Sequence, residues 1–70
     1  MKWYSSKTHR PVHVGDQIIF LTNAGFIHGG IFDYHKDMGY FFERHEGDRY
    51  AMHETTHFCI PDPIERLNNE

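Results

Sequence analysis

The segment HETTH, from His53 to His57, has the H-E-x-x-H spacing that zinc peptidases use. On an α-helix, two histidines four residues apart lie on one face and can bind the same Zn²⁺, while the glutamate between them acts as a base toward the metal-bound water. Such a site would make the protein a zinc metallohydrolase. Whether this chemistry is available depends on the element that carries the segment.

The residues around HETTH favour a strand over a helix. Thr55 and Thr56 are adjacent β-branched residues, and an aromatic residue, a cysteine, an isoleucine and a proline follow shortly after them. In a strand, His53 and His57 share a face but lie roughly 13 Å apart, too far for two imidazoles to bind one zinc at about 2 Å. We therefore expect no catalytic residue, no metal at His53 or His57, and no cofactor.

Length and composition limit the classes of protein that remain. A chain of 70 residues forms one small domain and has no second lobe that could build a deep substrate cleft. Its 16% aromatic content argues against disorder. The single cysteine, Cys59, excludes an intramolecular disulfide, and no apolar run approaches the roughly 18 residues of a membrane span. We expect a non-membrane, cytoplasmic protein.

The apolar pattern predicts a single, mainly β domain. Residues 1–11 form an N-terminal arm, residues 12–60 a β core, and residues 61–70 a C-terminal tail with a short helical turn after Asp62-Pro63. Tight turns are predicted at TNAG, HKDMG and RHEGD. The pattern predicts an antiparallel meander of about four to five strands that curls into an SH3-like or Sm-like small barrel or a sandwich. The predicted strands are 12–21, 26–34, 40–43 and 49–60.

One face of these strands is expected to form the core, because side chains alternate between the two faces of a strand. Gly29 and Gly30, in the middle of the second strand, predict a sharp bend or a close approach of another backbone. The residues that we expect to be largely buried are Ile18, Phe20, Phe32, Phe42, Met52 and Phe58.

The charge pattern suggests a binding surface. The net charge of −3, with histidines neutral, disfavours nonspecific binding to nucleic acid phosphates. Acidic residues at or near two central turns could instead capture a protein with a basic, nucleic-acid-binding surface. Exposed tyrosines are the expected anchors, since interface free energy concentrates in Tyr, Trp and Arg. The candidate partner-binding residues are Asp33, Asp37, Glu43, Glu46, Asp48, Tyr34, Tyr40 and Tyr50.

The two ends of the chain together carry a family resemblance. A tryptophan near the start, a proline before a V-x-V strand, and a closing T-H-F-x-x-P-x-P segment resemble a family of small uncharacterised domains of phages and prophages. Those domains open with a Trp and close with a Thr-His-Trp-x-Pro-x-Pro-like segment. The resemblance implies a closing structural strand, a mobile-element origin and a bacterial host, and it implies no biochemical activity. The residues that carry it are Trp3, Pro11, Thr56, His57, Phe58, Pro61 and Pro63.

These observations lead to one favoured function and three alternatives. The favoured function is a non-enzymatic phage or prophage accessory protein that binds and inhibits a host defence or nucleic-acid-handling protein, as anti-CRISPR and anti-restriction inhibitors do. A nucleic-acid-binding small β-barrel suits the fold, but the charge makes direct nucleic acid binding an unfavoured alternative. A nucleotide or small-molecule sponge requires a homo-oligomer to build enclosing pockets. The zinc metallohydrolase is the fourth possibility.

Overall fold

The computed structural model describes residues 2–61. These residues form one antiparallel sheet with the strand order β1-β6-β2-β3-β4-β5. The predicted mainly β antiparallel meander is confirmed, whereas the predicted C-terminal helical turn lies outside the described residues. Within the described part, no helix is long and apolar enough to cross a membrane. The elements are β1 (Trp3–Ser5), β2 (Gln17–Thr22), β3 (Ile27–His35), β4 (Gly39–Arg44), β5 (Arg49–Ala51), a 3₁₀ turn (Met52–Glu54) and β6 (Thr55–Cys59).

Strands β2 to β5 follow one another as hairpins, and β6 then returns to pair with the free side of β2. The N-terminal arm adds β1 on the outer side of β6, with Tyr4 opposite Phe58. Strands β1 and β5 are therefore the two edges of one open sheet, and no ladder joins them within residues 2–61. The predicted closure into a small barrel or a sandwich is not found in this part of the chain.

The predicted strand over 49–60 is wrong in its middle. It is split into β5 and β6 by the 3₁₀ turn, and β1 adds a further strand in the predicted N-terminal arm, so the sheet has six strands. Side-chain hydrogen bonds stabilise the break: Glu54 Oε1 accepts from the Ala51 N–H at 2.9 Å, and Thr55 Oγ1 donates to the Met52 carbonyl at 2.9 Å. Local hydrogen bonds of this kind give the backbone an alternative to the ladder.

The predicted strand over 12–21 begins later than expected, at Gln17. Residues 12–16 form a loop in which Val12 and Val14 are 81% and 56% exposed. Gly15 takes a φ of +97°, which residues with a side chain rarely adopt, and its N–H donates to the Phe32 carbonyl at 2.7 Å. The valine alternation that predicted a strand here thus occurs in a loop that docks beside β3.

The core lies on the face that the alternation predicted. Phe42 on β4 and Phe58 on β6 have ring centroids 5.6 Å apart, although β3 and β2 lie between their strands. Three strand spacings of a flat sheet would separate them by roughly 14 Å, so the sheet bends toward this face. Five of the six predicted core residues are buried: Ile18, Phe20, Phe32, Phe42 and Phe58. The prediction is wrong for Met52, which begins the 3₁₀ turn and is only partly buried against them, as are Tyr4, Tyr40 and Tyr50.

The opposite face also buries two side chains outside the predicted core set, Phe41 and Cys59, which are 2% and 0% exposed. The guanidinium of Arg49 lies over the Phe41 ring, 5.1 Å from its centroid. A charged side chain from the neighbouring strand therefore covers an aromatic ring on the outer face.

The predicted close backbone approach occurs at Gly30. A Cβ added there would overlap the carbonyl oxygen of Glu43 on β4 and would lie 2.7 Å from the Glu43 carbonyl carbon. A Cβ added at Gly29 meets only the ring of His45, at 3.8 Å. Of the two glycines, only Gly30 is required by the packing of β3 against β4.

Candidate binding surfaces

The HETTH segment has no α-helical turn, which the zinc motif requires. His53 and Glu54 belong to the 3₁₀ turn, while His57 lies within β6, opposite Leu21. The Glu54 carboxylate accepts a hydrogen bond from the N–H of Ala51. Within residues 2–61, no group of three or more His, Cys, Asp or Glu side chains is placed to hold a metal ion. The segment is the junction between a turn and a strand.

Three of the five predicted acidic contact residues are paired with arginines of the β4–β5 hairpin. Arg44 Nη1 donates to Asp48 Oδ2 at 2.8 Å, and Arg44 Nε lies 3.3 Å from Glu46 Oε1. The Nε–H makes no hydrogen bond within the described residues, so Glu46 acts there through its charge alone. Arg49 Nε donates to Glu43 Oε1 at 2.9 Å. The hairpin is therefore not a strongly acidic surface.

The other two predicted acidic residues, Asp33 and Asp37, lie in the β3–β4 hairpin and form no ion pair with a lysine or arginine of the described chain. Asp33 Oδ1 accepts from the Tyr34 N–H at 2.7 Å. The Asp37 side chain is 80% exposed, and its carboxylate lies 3.9 Å from His35 Nδ1. Because successive turns of a meander lie at opposite ends, these carboxylates and those of the β4–β5 turn do not form one surface.

Two of the predicted tyrosines form an exposed patch at the β3–β4 end. Tyr34 and Tyr40 are cross-strand partners with ring centroids 4.9 Å apart, and Tyr34 is 51% exposed. The Arg10 guanidinium lies 4.1 Å from the centroid of Tyr40, and Phe32 stacks on the same ring at 5.2 Å. Met38, in the connecting turn, is also exposed. We call Arg10, Tyr34, Met38 and Tyr40 the tyrosine patch.

The sequence did not reveal that Arg10 and Met38 belong with these tyrosines. Arg10 lies in the N-terminal arm, 30 positions before Tyr40, and its contact depends on the path of the arm across the sheet. Met38 could have been included, since it lies between two predicted contact residues and methionine is enriched at interfaces.

The third predicted tyrosine, Tyr50, belongs to a separate site. Its ring packs against Phe20 at 5.4 Å and His28 at 5.7 Å. It borders a surface hollow of about 360 Å³ beside the β2–β3 turn. We call this the Tyr50 hollow, and its lining residues are Thr22, Asn23, Ala24, Phe26, Tyr50 and Glu54.

A larger groove of about 720 Å³ runs along the N-terminal arm. Among the residues that the structure describes, none that lines the groove is acidic, whereas Lys7, His9 and Arg10 can all carry positive charge. The turn that presents them is held by Ser5, whose carbonyl accepts from the N–H groups of Thr8 and His9 at 3.3 and 2.9 Å. We call this the arm groove, and its lining residues are Ser6, Lys7, Thr8, His9, Arg10, Pro11, Val12, Tyr40 and Met52.

The thiol of Cys59 is not placed for catalysis. Its side chain is fully buried, and burial raises the pKa of the thiol above its usual value. A higher pKa leaves less of the reactive thiolate at neutral pH. Cys59 therefore acts as a small buried apolar side chain.

Comparison of the chain with family models, curated proteins and solved structures gives no match. The protein has three candidate binding sites: the tyrosine patch, the Tyr50 hollow and the arm groove.

Proposed function

We propose that this protein is a small non-enzymatic binding module that engages a partner protein through the tyrosine patch. The observation that supports this function best is the cross-strand pair of exposed Tyr34 and partly buried Tyr40, joined by Arg10. Tyrosine and arginine are the residue types in which the free energy of protein interfaces concentrates. The Tyr40 ring is already held between Arg10 and Phe32, so little side-chain entropy remains to be lost on binding.

The specific form of the proposal is an accessory protein of phage or prophage origin that acts in the bacterial cytoplasm. It inhibits a host defence or nucleic-acid-handling protein, in the manner of anti-CRISPR or anti-restriction inhibitors. This form rests on the resemblance of the two chain ends to small phage domains and on the net charge of −3. Steric occupation of the partner's functional surface requires no catalytic group.

The charges near the patch refine what the partner should present. Asp33 and Asp37 are the acidic residues of this end that no arginine pairs within the described chain, so they can meet a basic partner. Arg10 and Lys36 lie at the same end, which makes its charge mixed. We therefore assign the affinity mainly to the aromatic contacts, and the association rate partly to the two carboxylates.

The test begins with capture of a partner from bacterial lysate on immobilised protein, followed by kinetics with the purified partner. We expect Tyr34→Ala to raise the dissociation rate by roughly 10-fold or more, as for truncation of an interface anchor. Asp37→Lys should slow association and weaken its salt dependence. Glu46→Lys is the matched control, because its carboxylate already faces Arg44 at the other end of the sheet.

Each variant has a folding control, the thermal melt followed by circular dichroism, since all three side chains are exposed. If Tyr34→Ala binds the partner with the rates of the parent protein, the tyrosine patch is not the interface. If Glu46→Lys changes the kinetics as much as Asp37→Lys does, the acidic contribution is not confined to the β3–β4 end.

The arm groove supports a second candidate function, binding of an anionic ligand such as single-stranded nucleic acid. Three basic or titratable side chains, Lys7, His9 and Arg10, line a groove in which the described part of the chain places no acidic residue. Phosphates would meet complementary charge there. The Arg10 guanidinium already lies over the Tyr40 ring, 4.1 Å from its centroid, however, so a base could stack on that face only after Arg10 moves.

Fluorescence anisotropy of a labelled oligonucleotide at two salt concentrations tests this second function, with Lys7→Ala and Arg10→Ala as variants. Binding that weakens with salt and with either substitution would favour the arm groove. The same titration with free nucleotides, combined with measurement of the oligomeric state, tests the sponge alternative. No binding at low salt would exclude the groove as a nucleic acid site.

A further inference from the structure

We infer that the Tyr50 hollow is a binding site for a cationic side chain, a lysine, an N-methylated lysine or an arginine presented by the partner protein. This inference rests on the proposed function for the source of the cation. It assigns a ligand to the Tyr50 hollow, which shares no residue with the tyrosine patch.

Aromatic side chains form one wall of the hollow. Phe26 is 64% exposed, an unusual position for a phenylalanine in a domain with so few residues. The ring of His28 lies 6.3 Å from that of Phe26 and 5.7 Å from that of Tyr50, with interplanar angles of 20° and 31°. Phe26 and Tyr50 line the hollow, and the ring of His28, which is not one of the lining residues, lies next to both of them. Aromatic faces carry negative potential and attract cations within about 6 Å.

The charge of the residues that line the hollow also favours a cation. Within residues 2–61, Glu54 is the only acidic residue that lines the hollow, and no lysine or arginine of this part lines it. One of its carboxylate oxygens, Oε1, accepts the N–H of Ala51 at 2.9 Å. This hydrogen bond holds the carboxylate at the rim, where its charge can favour a cation. An aromatic wall beside a single carboxylate is the chemistry that recognises alkylammonium groups.

Hydrogen bonds fix the two turns that form the hollow relative to each other. Asn23 Nδ2 donates to the His53 carbonyl at 2.9 Å, and the Asn23 N–H donates to the Glu54 carbonyl at 3.0 Å. Thr22 Oγ1 accepts from the Phe26 N–H at 3.1 Å. The β2–β3 turn is thereby tied to the 3₁₀ turn, which fixes both walls before a ligand arrives. The volume of about 360 Å³ is near the lower limit of ligand pockets and suits the end of one side chain.

The experiment is an NMR titration with N-acetyl amides of lysine, trimethyllysine, arginine and norleucine. The norleucine derivative is the neutral control, because it keeps the alkyl chain and lacks the charge. We expect the cationic derivatives to shift the ring signals of Phe26, His28 and Tyr50 with millimolar affinity, and the norleucine derivative to leave them unchanged. Addition of salt should weaken the response.

Three variants then locate the site. Phe26→Ala should weaken the cation response by about 10-fold or more, and Glu54→Gln by about 5-fold, in line with the loss of a cation–π partner or a nearby charge. Glu54→Gln keeps an oxygen that can accept the Ala51 N–H, so the turn stays intact. Val14→Ala is the matched control, since Val14 is an exposed apolar residue outside the hollow, and it should bind as the parent does.

Equal shifts with the norleucine derivative would show an apolar hollow without preference for charge, and would overturn the inference. The absence of any response to the cations, or a response unchanged in both Phe26→Ala and Glu54→Gln, would also overturn it. Because these titrations need no partner protein, their failure is distinguishable from failure of the proposed function, which Tyr34→Ala tests with the partner itself.

Discussion

Substitution of Gly30 by alanine should be the most informative single change in the sheet. Gly30 lies in β3 opposite Arg44 of β4, and the β4 backbone approaches its α-carbon closely. An added methyl group would overlap the Glu43 carbonyl oxygen and lie 3.1 Å from the Arg44 Cα. These neighbours are backbone atoms, so no side-chain rotation can relieve the contact.

The magnitude follows from the distances. The added Cβ would lie 2.7 Å from the Glu43 carbonyl carbon, whereas carbon atoms pack at about 3.5 Å or more, so the strands must separate by at least roughly 0.8 Å. The Glu43 carbonyl oxygen, which is closer still, requires a larger separation. Overpacking of this kind typically costs about 1–3 kcal/mol. We expect a loss of about 2–3 kcal/mol in the free energy of unfolding, because the backbone cannot yield locally. The total for a domain of this length is only about 4–10 kcal/mol.

Thermal unfolding followed by circular dichroism measures this effect. A loss of about 2–3 kcal/mol corresponds to a fall of roughly 10–20 °C in Tm for a domain of this size. Gly29→Ala is the matched control, since a Cβ there has only ordinary contacts with the His45 ring. We expect Gly29→Ala to be neutral or to stabilise the protein by about 0.5–1 kcal/mol, through the lower entropy of the unfolded chain.

The comparison of the two variants decides whether the reasoning is correct. If Gly30→Ala melts within about 2 °C of the parent protein, β4 does not approach β3 at Gly30 in solution as closely as described. A loss shared equally by both variants would instead indicate that glycine is needed for the bend of β3 as a whole.

Three further predictions address the core and its buried polar groups. Phe20→Ala should lower the free energy of unfolding by about 3–5 kcal/mol, whereas Val14→Ala should change it by less than about 0.5 kcal/mol. Chemical denaturation measures both values, and equal midpoints for the two variants would contradict the assigned core face. Thr55→Val removes two buried hydrogen bonds of 2.9 Å and should cost about 1–3 kcal/mol, more than Thr56→Val, whose bond is 3.5 Å long. Because burial raises the pKa of Cys59 and so lowers its thiolate fraction, iodoacetamide at pH 8 should alkylate the folded protein much more slowly than the denatured protein, and equal rates would show an accessible thiol.

Part of the tyrosine patch could be predicted from local sequence patterns. Tyr34 and Tyr40 flank a short turn, so their pairing across a hairpin follows from the turn alone. Asp37 was equally predictable as an exposed turn residue. The neutralisation of Glu43 by Arg49 was not, because it depends on which residues of β4 and β5 are paired.

The Tyr50 hollow was not predictable, although Tyr50 itself was singled out. Its walls come from the β2–β3 turn, from β5 and from the 3₁₀ turn, which are brought together when β6 returns to pair with β2. The sequence pattern places Phe26 in a strand and Glu54 in a zinc motif, and neither pattern indicates that the two residues share a site. The 3₁₀ turn itself depends on hydrogen bonds that compete weakly with an extended strand, so residue pattern alone did not reveal it.

By itself, the sequence determined the β class and the buried face. Phe20, Phe32, Phe42 and Phe58 lie at positions where alternation is a property of each strand, independent of its neighbours. Tertiary structure alone decided which charges cancel and which rings meet. Those contacts depend on register between strands and on the bend of the sheet, which arise only when segments distant in the chain bury their apolar faces against each other.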